Sequence, residues 1–147
     1  MLRNEEEVQA FYVRWVGSVL CLCRLFVGDE TRAQQATIEA FLAYLRAEGA
    51  LDGDRIPTAL LRTAVQAVRN QCMVESARKT DDQLLANAIL ALPCEQRMVF
   101  ILRYVLQMDT ATVASVAAVT EGTVRKRSFQ ALLRIRELLP RTFLRSK

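Results

Sequence analysis

The sequence predicts an all-α protein made of two small helical domains joined by a very short linker. Only three prolines and five glycines punctuate 147 residues. Apolar residues recur at spacings of three and four, while alternating β-branched runs are scarce. The hydrophobic fraction of 52% supplies material for real cores, and the length suits one ordinary domain or two small ones.

Each element follows from this spacing. Phe11, Trp15, Val19, Leu22 and Phe26 fall on one stripe of a first helix, which Gly28-Asp29 stops. A second helix begins near Thr31, with Ala33, Ala36, Ala40, Phe41, Tyr44 and Leu45 available to face inward. The stretch AEGALDGDRIP (47–57) concentrates acids, two glycines and a proline, and reads as a loop. Pro57 suits the first turn of a third helix carrying Leu60, Leu61, Ala64, Val68, Cys72 and Val74 toward Arg78. KTDDQ (79–83) offers Thr80 or Asp81 as an N-cap and is the boundary between domains 1–79 and 80–147. A short helix over 84–92 ends before Pro93. Another over 95–107 turns Val99, Leu102 and either Val105 or Leu106 inward.

The residue types exclude most catalytic classes. There is no histidine, so the commonest general base and the commonest metal ligand are missing. No nucleophile triad, phosphate-binding glycine loop or paired-glycine fingerprint occurs. Of the four cysteines, Cys21 and Cys23 are two apart and diverge on a helix; they and Cys72 and Cys94 read as small buried hydrophobes in a reducing compartment. A non-enzyme is expected, with no cofactor, no metal and no small-molecule substrate. The longest apolar run, 16–27, is broken by Gly17, Ser18 and Arg24 and falls short of the ~18–20 residues that span a bilayer. The acidic start MLRNEEEVQ is not a signal peptide. A soluble, cytoplasmic protein with no membrane partner is expected.

Charge is informative once localised. Residues 1–79 carry ten basic and ten acidic side chains, whereas 80–147 carry ten basic and six acidic. From residue 123 onward Arg125, Lys126, Arg127, Arg134, Arg136, Arg141, Arg145 and Lys147 face Glu137 alone. A basic cluster of this kind suits a phosphate-backbone partner. It lies on the second half of a helix-turn-helix. The first half is a short helix over 110–118 with Val113, Val116 and Ala117 inward, followed by a turn over 119–122. Thr120 can cap a longer helix over 123–139, ~25 Å at 1.5 Å per residue. On that helix Val124, Ser128, Ala131, Ile135 and Leu138 share the inward face. Thr123, Lys126, Gln130 and Glu137 lie opposite, with Arg127 and Arg134 on one flank and Arg125 and Arg136 on the other. Flanking cations suit phosphates, and Lys126 and Gln130 are types that read base edges.

Two segments together resemble the extracytoplasmic-function group of bacterial sigma factors, whose region 2 and region 4 are helical domains. Residues 85–139 resemble region 4 through Leu92-Pro93, Gln96-Arg97, Phe100-Ile101-Leu102-Arg103-Tyr104 and Gly122-Thr123-Val124-Arg125. Upstream, VGDETRAQQATIEAFLAYLR resembles the region 2 helix that docks on the polymerase clamp. ALLRTAVQAVRNQCMVESARK resembles the helix that meets the minus-ten element, through Arg69-Asn70. The resemblance implies a sigma factor that binds core RNA polymerase and double-stranded promoter DNA and directs transcription initiation, with an anti-sigma factor as a further partner. It implies a minus-thirty-five contact set of Thr120, Glu121, Gly122, Thr123, Arg125, Lys126, Arg127, Gln130 and Arg134. The minus-ten set is Arg62, Arg69, Asn70, Arg78 and Lys79, and the core-polymerase set is Gln35, Ile38, Glu39, Phe41 and Leu42.

The departures from the family pattern define an alternative. Gln35 and Ile38 stand where an acidic residue and a glutamine are usual, Leu60 replaces a common tryptophan, and Ala118 a frequent glycine. LDGDRIPTALL holds no aromatic to stack on a melted strand. The linker is so short that either helix ends fray to lengthen it or the domains stay close. The alternative is a sigma-like regulator or mimic that binds protein partners or DNA without melting promoters. Phe129 and Leu133, on the outer side of the basic helix, are either a local packing accident or a protein contact.

Overall fold

In the computed structural model, residues 4–71 and 84–139 are described. They form seven α-helices and, among the described residues, no strand: α1 (Glu5–Val27), α2 (Glu30–Arg46), α3 (Thr58–Gln71), α4 (Leu84–Leu90), α5 (Cys94–Phe100), α6 (Thr110–Ala117) and α7 (Glu121–Leu138). Cys72, Val74, Arg78, Lys79 and the two candidate caps Thr80 and Asp81 lie outside the described residues.

The termini of α1 explain its length. The Asn4 side chain accepts from the Glu6 amide at 2.8 Å, and Glu5, Glu6 and Glu7 sit at the positive end of the helix dipole. Gly28, at φ 80°, ends it in the left-handed conformation that glycine adopts without strain. Asp29 then caps α2 by accepting from the Arg32 amide at 3.0 Å. Arg24 and Glu30 close the corner with two hydrogen bonds of 2.8 and 3.0 Å, which hold the Glu30 carboxyl below its ordinary range. At 23 residues, α1 is long and apolar enough to cross a membrane by length and composition alone, more than the broken 16–27 run suggested. Its Phe11, Val19, Leu22 and Phe26 are nevertheless buried in the protein core, the position of a core helix.

α2 meets its neighbours through small residues. Ala33, Ala36 and Ala40 are fully buried, so the α2 backbone comes close to α1 and α3. Phe11 stacks on Tyr44 with centroids 5.2 Å apart and meets Phe41 edge-on at 6.0 Å. The Tyr44 hydroxyl donates to the Ala50 carbonyl at 2.6 Å, and Gly49 lies so close to that ring that any Cβ would come within 2.2 Å of it. Cys23 is buried beside Thr37, and burial pushes its thiol up to about 11. Cys21, two positions away, is partly exposed, as the divergence of such a pair requires.

α3 is buried on more sides than its stripe suggested. Leu60, Leu61, Ala64 and Val68 are inward as expected, but Val65 and Ala67, on opposite flanks of that stripe, are buried too, with α1, α2 and α6 all packed on α3. The core is accordingly continuous across the whole chain, from Phe11 through Leu102 to Leu139. Of the two readings of the linker, the structure shows the halves close together. Between α5 and α6 the chain runs on through a π-helical turn, Ile101–Val105, where the Leu106 amide donates to the Ile101 carbonyl at 2.9 Å. Val105 and Leu106 are both half-buried against the core, so neither excludes the other.

Arg97 bridges the halves through main-chain carbonyls. Arg97 of α5 donates to the Phe26 carbonyl at 2.6 Å, the Leu90 carbonyl at 2.9 Å and the Leu92 carbonyl at 3.1 Å, and its guanidinium lies 5.1 Å from the Phe26 ring centroid. Removing it strands three carbonyls at helix ends. Arg97→Ala is expected to lower unfolding stability by about 2–4 kcal/mol in urea titration, with Arg97→Lys recovering part of the loss, because a lysine lacks the planar fork.

Candidate nucleic-acid interface

The helix-turn-helix forms from local capping chemistry. Asp109 opens α6 by accepting from the Thr112 amide at 2.7 Å, and the hydrogen bonds of Thr112 hold the Asp109 carboxyl below its ordinary range. Val113, Ala114, Val116 and Ala117 are buried, which fixes α6 against its neighbours α3 and α7. Ala118 ends the helix at φ 60°, ψ 46°, and its amide donates to the Ala114 carbonyl. This is the left-handed conformation that accounts for the frequent glycine at that place. Thr120 caps α7 as expected: its hydroxyl accepts from the Thr123 amide at 3.2 Å and lies 2.9 Å from the Thr123 hydroxyl. α7 begins at Glu121, two residues before the expected start, so Glu121 and Gly122 belong to its first turn rather than to the connection.

Packing of α7 separates its faces. Val124, Ser128, Ala131 and Ile135 are buried, as the helical wheel requires. Leu138 is a correction: it is 44% exposed, and Leu139 is buried instead. Leu139 leaves the helix with an extended backbone (ψ 143°), and this swings it onto the core in place of its neighbour. Arg125, Lys126, Gln130, Arg134 and Arg136 are exposed, giving the flanked polar face anticipated for phosphates and base edges. Arg125 has Glu121 3.9 Å away. Phe129, 63% exposed, stands on that outer side with Leu132 and Leu133, so local packing among core residues does not absorb it.

The remaining sites are distributed as follows. On α2, Gln35, Ile38, Glu39 and Leu42 share the exposed side. Phe41 faces inward, as its spacing placed it: only 4% exposed, it lies beneath that side against Phe11 and Tyr12, on the same spacing as the buried Ala33, Thr37 and Tyr44. Tyr12 and Val13 of α1 are exposed beside it and extend the apolar surface. The sequence signal for them was weak but present, since both fall off the Phe11–Val19 stripe. On α3, Asn70 is exposed, whereas Arg62 and Arg69 turn to the second half of the chain. Arg62 donates to the Ser115 carbonyl at 3.2 Å and also to the Ser115 hydroxyl. Arg69 lies 3.5 Å from a Glu95 carboxylate oxygen, and Arg127 of α7 donates to that same oxygen at 3.1 Å. Ser115 and Glu95 had no signal in the sequence, because nothing periodic marks a contact between distant segments. Among the described residues no group of three or more cysteine and acidic side chains converges as metal ligands do.

With this geometry in place, the comparisons with known proteins become specific. The family described as sigma-70, region 4 matches residues 82–135, which span both helices of the helix-turn-helix and the α4–α5 corner before it. Curated protein sequences give no match. Among solved structures, CnrH in complex with the cytosolic domain of CnrY is similar with a TM-score of 0.78 at 19% identity, over 92% of this chain and 88% of that one. The sigma factor RpoE from Bartonella quintana, in complex with the anti-sigma factor NepR, is similar with a TM-score of 0.76 at 14% identity, over 88% and 94%. These likenesses reach well beyond region 4 and give the chain their all-α fold. The region 4 match covers 82–135, and the shared fold extends over most of the rest of the chain.

Ala118 supplies a direct test of the region 4 turn. An L-residue in the left-handed region costs roughly 1–2 kcal/mol, partly offset by the extra unfolded-state freedom of glycine. Ala118→Gly is therefore expected to raise stability by about 0.5–1 kcal/mol, measured by thermal unfolding.

Proposed function

We propose that this protein is an extracytoplasmic-function sigma factor that binds core RNA polymerase and directs promoter-specific transcription initiation in the cytoplasm. The observation that carries the reading is the exposed Lys126–Gln130 face of α7, flanked by Arg125, Arg134 and Arg136, on the second helix of a region 4 helix-turn-helix. Lys126 and Gln130 would read base edges of a minus-thirty-five element, and the flanking cations would meet phosphates. Phe129 adds an apolar group of the kind that meets thymine methyls. The minus-ten role falls to Arg62, Arg69 and Asn70, with Arg78 and Lys79, and the polymerase contact to Gln35, Ile38, Glu39 and Leu42, with Phe41 supporting them from beneath. The domains would be 1–79 for polymerase and minus-ten binding and 80–147 for minus-thirty-five binding. An anti-sigma partner is supported by the two similar folds, one of which is a sigma factor in complex with its anti-sigma factor. The sigma factor family does no covalent chemistry of its own, and none is assigned to this chain.

A second reading, a sigma-like regulator that does not melt promoters, is favoured by one observation. Leu60, at the position of a common family tryptophan, is fully buried, and the loop before it carries no aromatic. Base stacking on a melted strand needs an accessible ring.

Run-off transcription with purified core polymerase and a genomic promoter library separates the two. Transcripts from a defined promoter set are expected, and binding to core with no transcript from any promoter would establish the regulator instead. On such a promoter Lys126→Ala and Gln130→Ala are each expected to cost ~1–3 kcal/mol and relax base preference, whereas Arg136→Ala weakens all sequences alike. Equal effects of all three on specific and random DNA would remove α7 as the reading helix.

A further inference from the structure

Three cations assigned above to DNA are already occupied within the chain. Arg62 of α3 is held by the carbonyl and hydroxyl of Ser115 on α6. Arg69 of α3 and Arg127 of α7 converge on one oxygen of Glu95, at 3.5 and 3.1 Å. Glu95 lies in the first turn of α5, between the two helices, and its side chain is about half exposed. The two arginines come from opposite halves of the chain, one from each DNA-facing set.

We propose that Glu95 is an intramolecular competitor for DNA, withholding Arg69 and Arg127 from phosphates while the halves are packed together. The inference rests on the DNA-binding reading of α3 and α7. A carboxylate oxygen and a phosphate oxygen offer an arginine the same charge-assisted hydrogen bond, so the two exclude one another at the same donors. The exposure of the Glu95 pairs makes them weak and salt-screened, which suits a contact that DNA must displace. A duplex carries a dense row of phosphates and releases counterions when an arginine binds, so it can win this competition where one carboxylate cannot hold permanently. Glu95 then lowers affinity for DNA of any sequence, and the base contacts made by Lys126 and Gln130 supply the difference at a true site. The effect is a threshold against non-specific binding.

The test uses the full chain and fluorescence anisotropy with a random-sequence duplex over a salt series. Glu95→Gln is expected to bind about 3- to 10-fold more tightly, with a log–log salt slope steeper by about one per freed arginine. Adding Arg127→Ala should erase much of that gain. Glu137→Gln, which changes net charge equally on the exposed side of α7, should give a much smaller gain. Equal gains from Glu95→Gln and Glu137→Gln would reduce the effect to bulk charge and overturn the proposal. Unchanged binding in Glu95→Gln, while Lys126→Ala still weakens a specific site, would overturn the competition and leave the DNA reading standing. No binding by the wild type or by Glu95→Gln would overturn both.

Discussion

A guanidinium inside a protein cannot lose its proton, so it must find acceptors wherever folding puts it. Arg97 finds only main-chain carbonyls: Phe26 at the end of α1, and Leu90 and Leu92 at the corner between α4 and α5. Carbonyls at helix ends have no partner within their own helix and carry the negative end of the dipole. One cation thus satisfies the closing turns of two helices from different halves of the chain. The rest of the second half is placed from this point. α4 and the π-helical turn pack on α1, α7 packs on α5, and α6 packs on both α7 and α3. The Arg97 Nε is buried without a hydrogen-bond partner, so the arrangement tolerates one unsatisfied donor in exchange for three charge-assisted bonds.

Most of this fold was legible because helices announce themselves locally. The stripes of α1 and α7, the glycine stop at Gly28 and the Thr120 cap depend on residues within a few positions of one another. Long-range docking leaves no such mark. Val65 and Ala67 lay outside the inward stripe read for α3, yet they are buried, because that helix packs on α1, α2 and α6, and α6 lies some fifty residues later in the chain. For Phe41 two signals conflicted: its spacing placed it inside and its place in the family motif placed it on a binding face. Spacing prevailed, since an aromatic that can stack among Phe11, Tyr12 and Tyr44 buries far more surface than one left on a helix exterior. At the end of α7 the wheel failed by one residue, where the backbone stopped being helical and Leu139 took the place of Leu138.

The helix-turn-helix also shows how little of its second helix is free to change. Its inner residues are committed to the core, and the hydroxyls of Thr120 and Thr123 are engaged with each other and with the backbone of the turn. What remains for a partner is a strip of long cationic and polar side chains beside Phe129 and Leu133.

The alanines of α2 carry a consequence for how such a protein can diverge. Ala33, Ala36 and Ala40 hold the helix so close to its neighbours that enlarging any of them would wedge the bundle apart. Positions 35, 38, 39 and 42 lie on the exposed side. One helix is therefore split lengthwise into a frozen spine and a freely editable address. The two places where this chain departs from the family pattern it resembles, Gln35 and Ile38, both fall on the exposed side, so that surface can change while the architecture stays still.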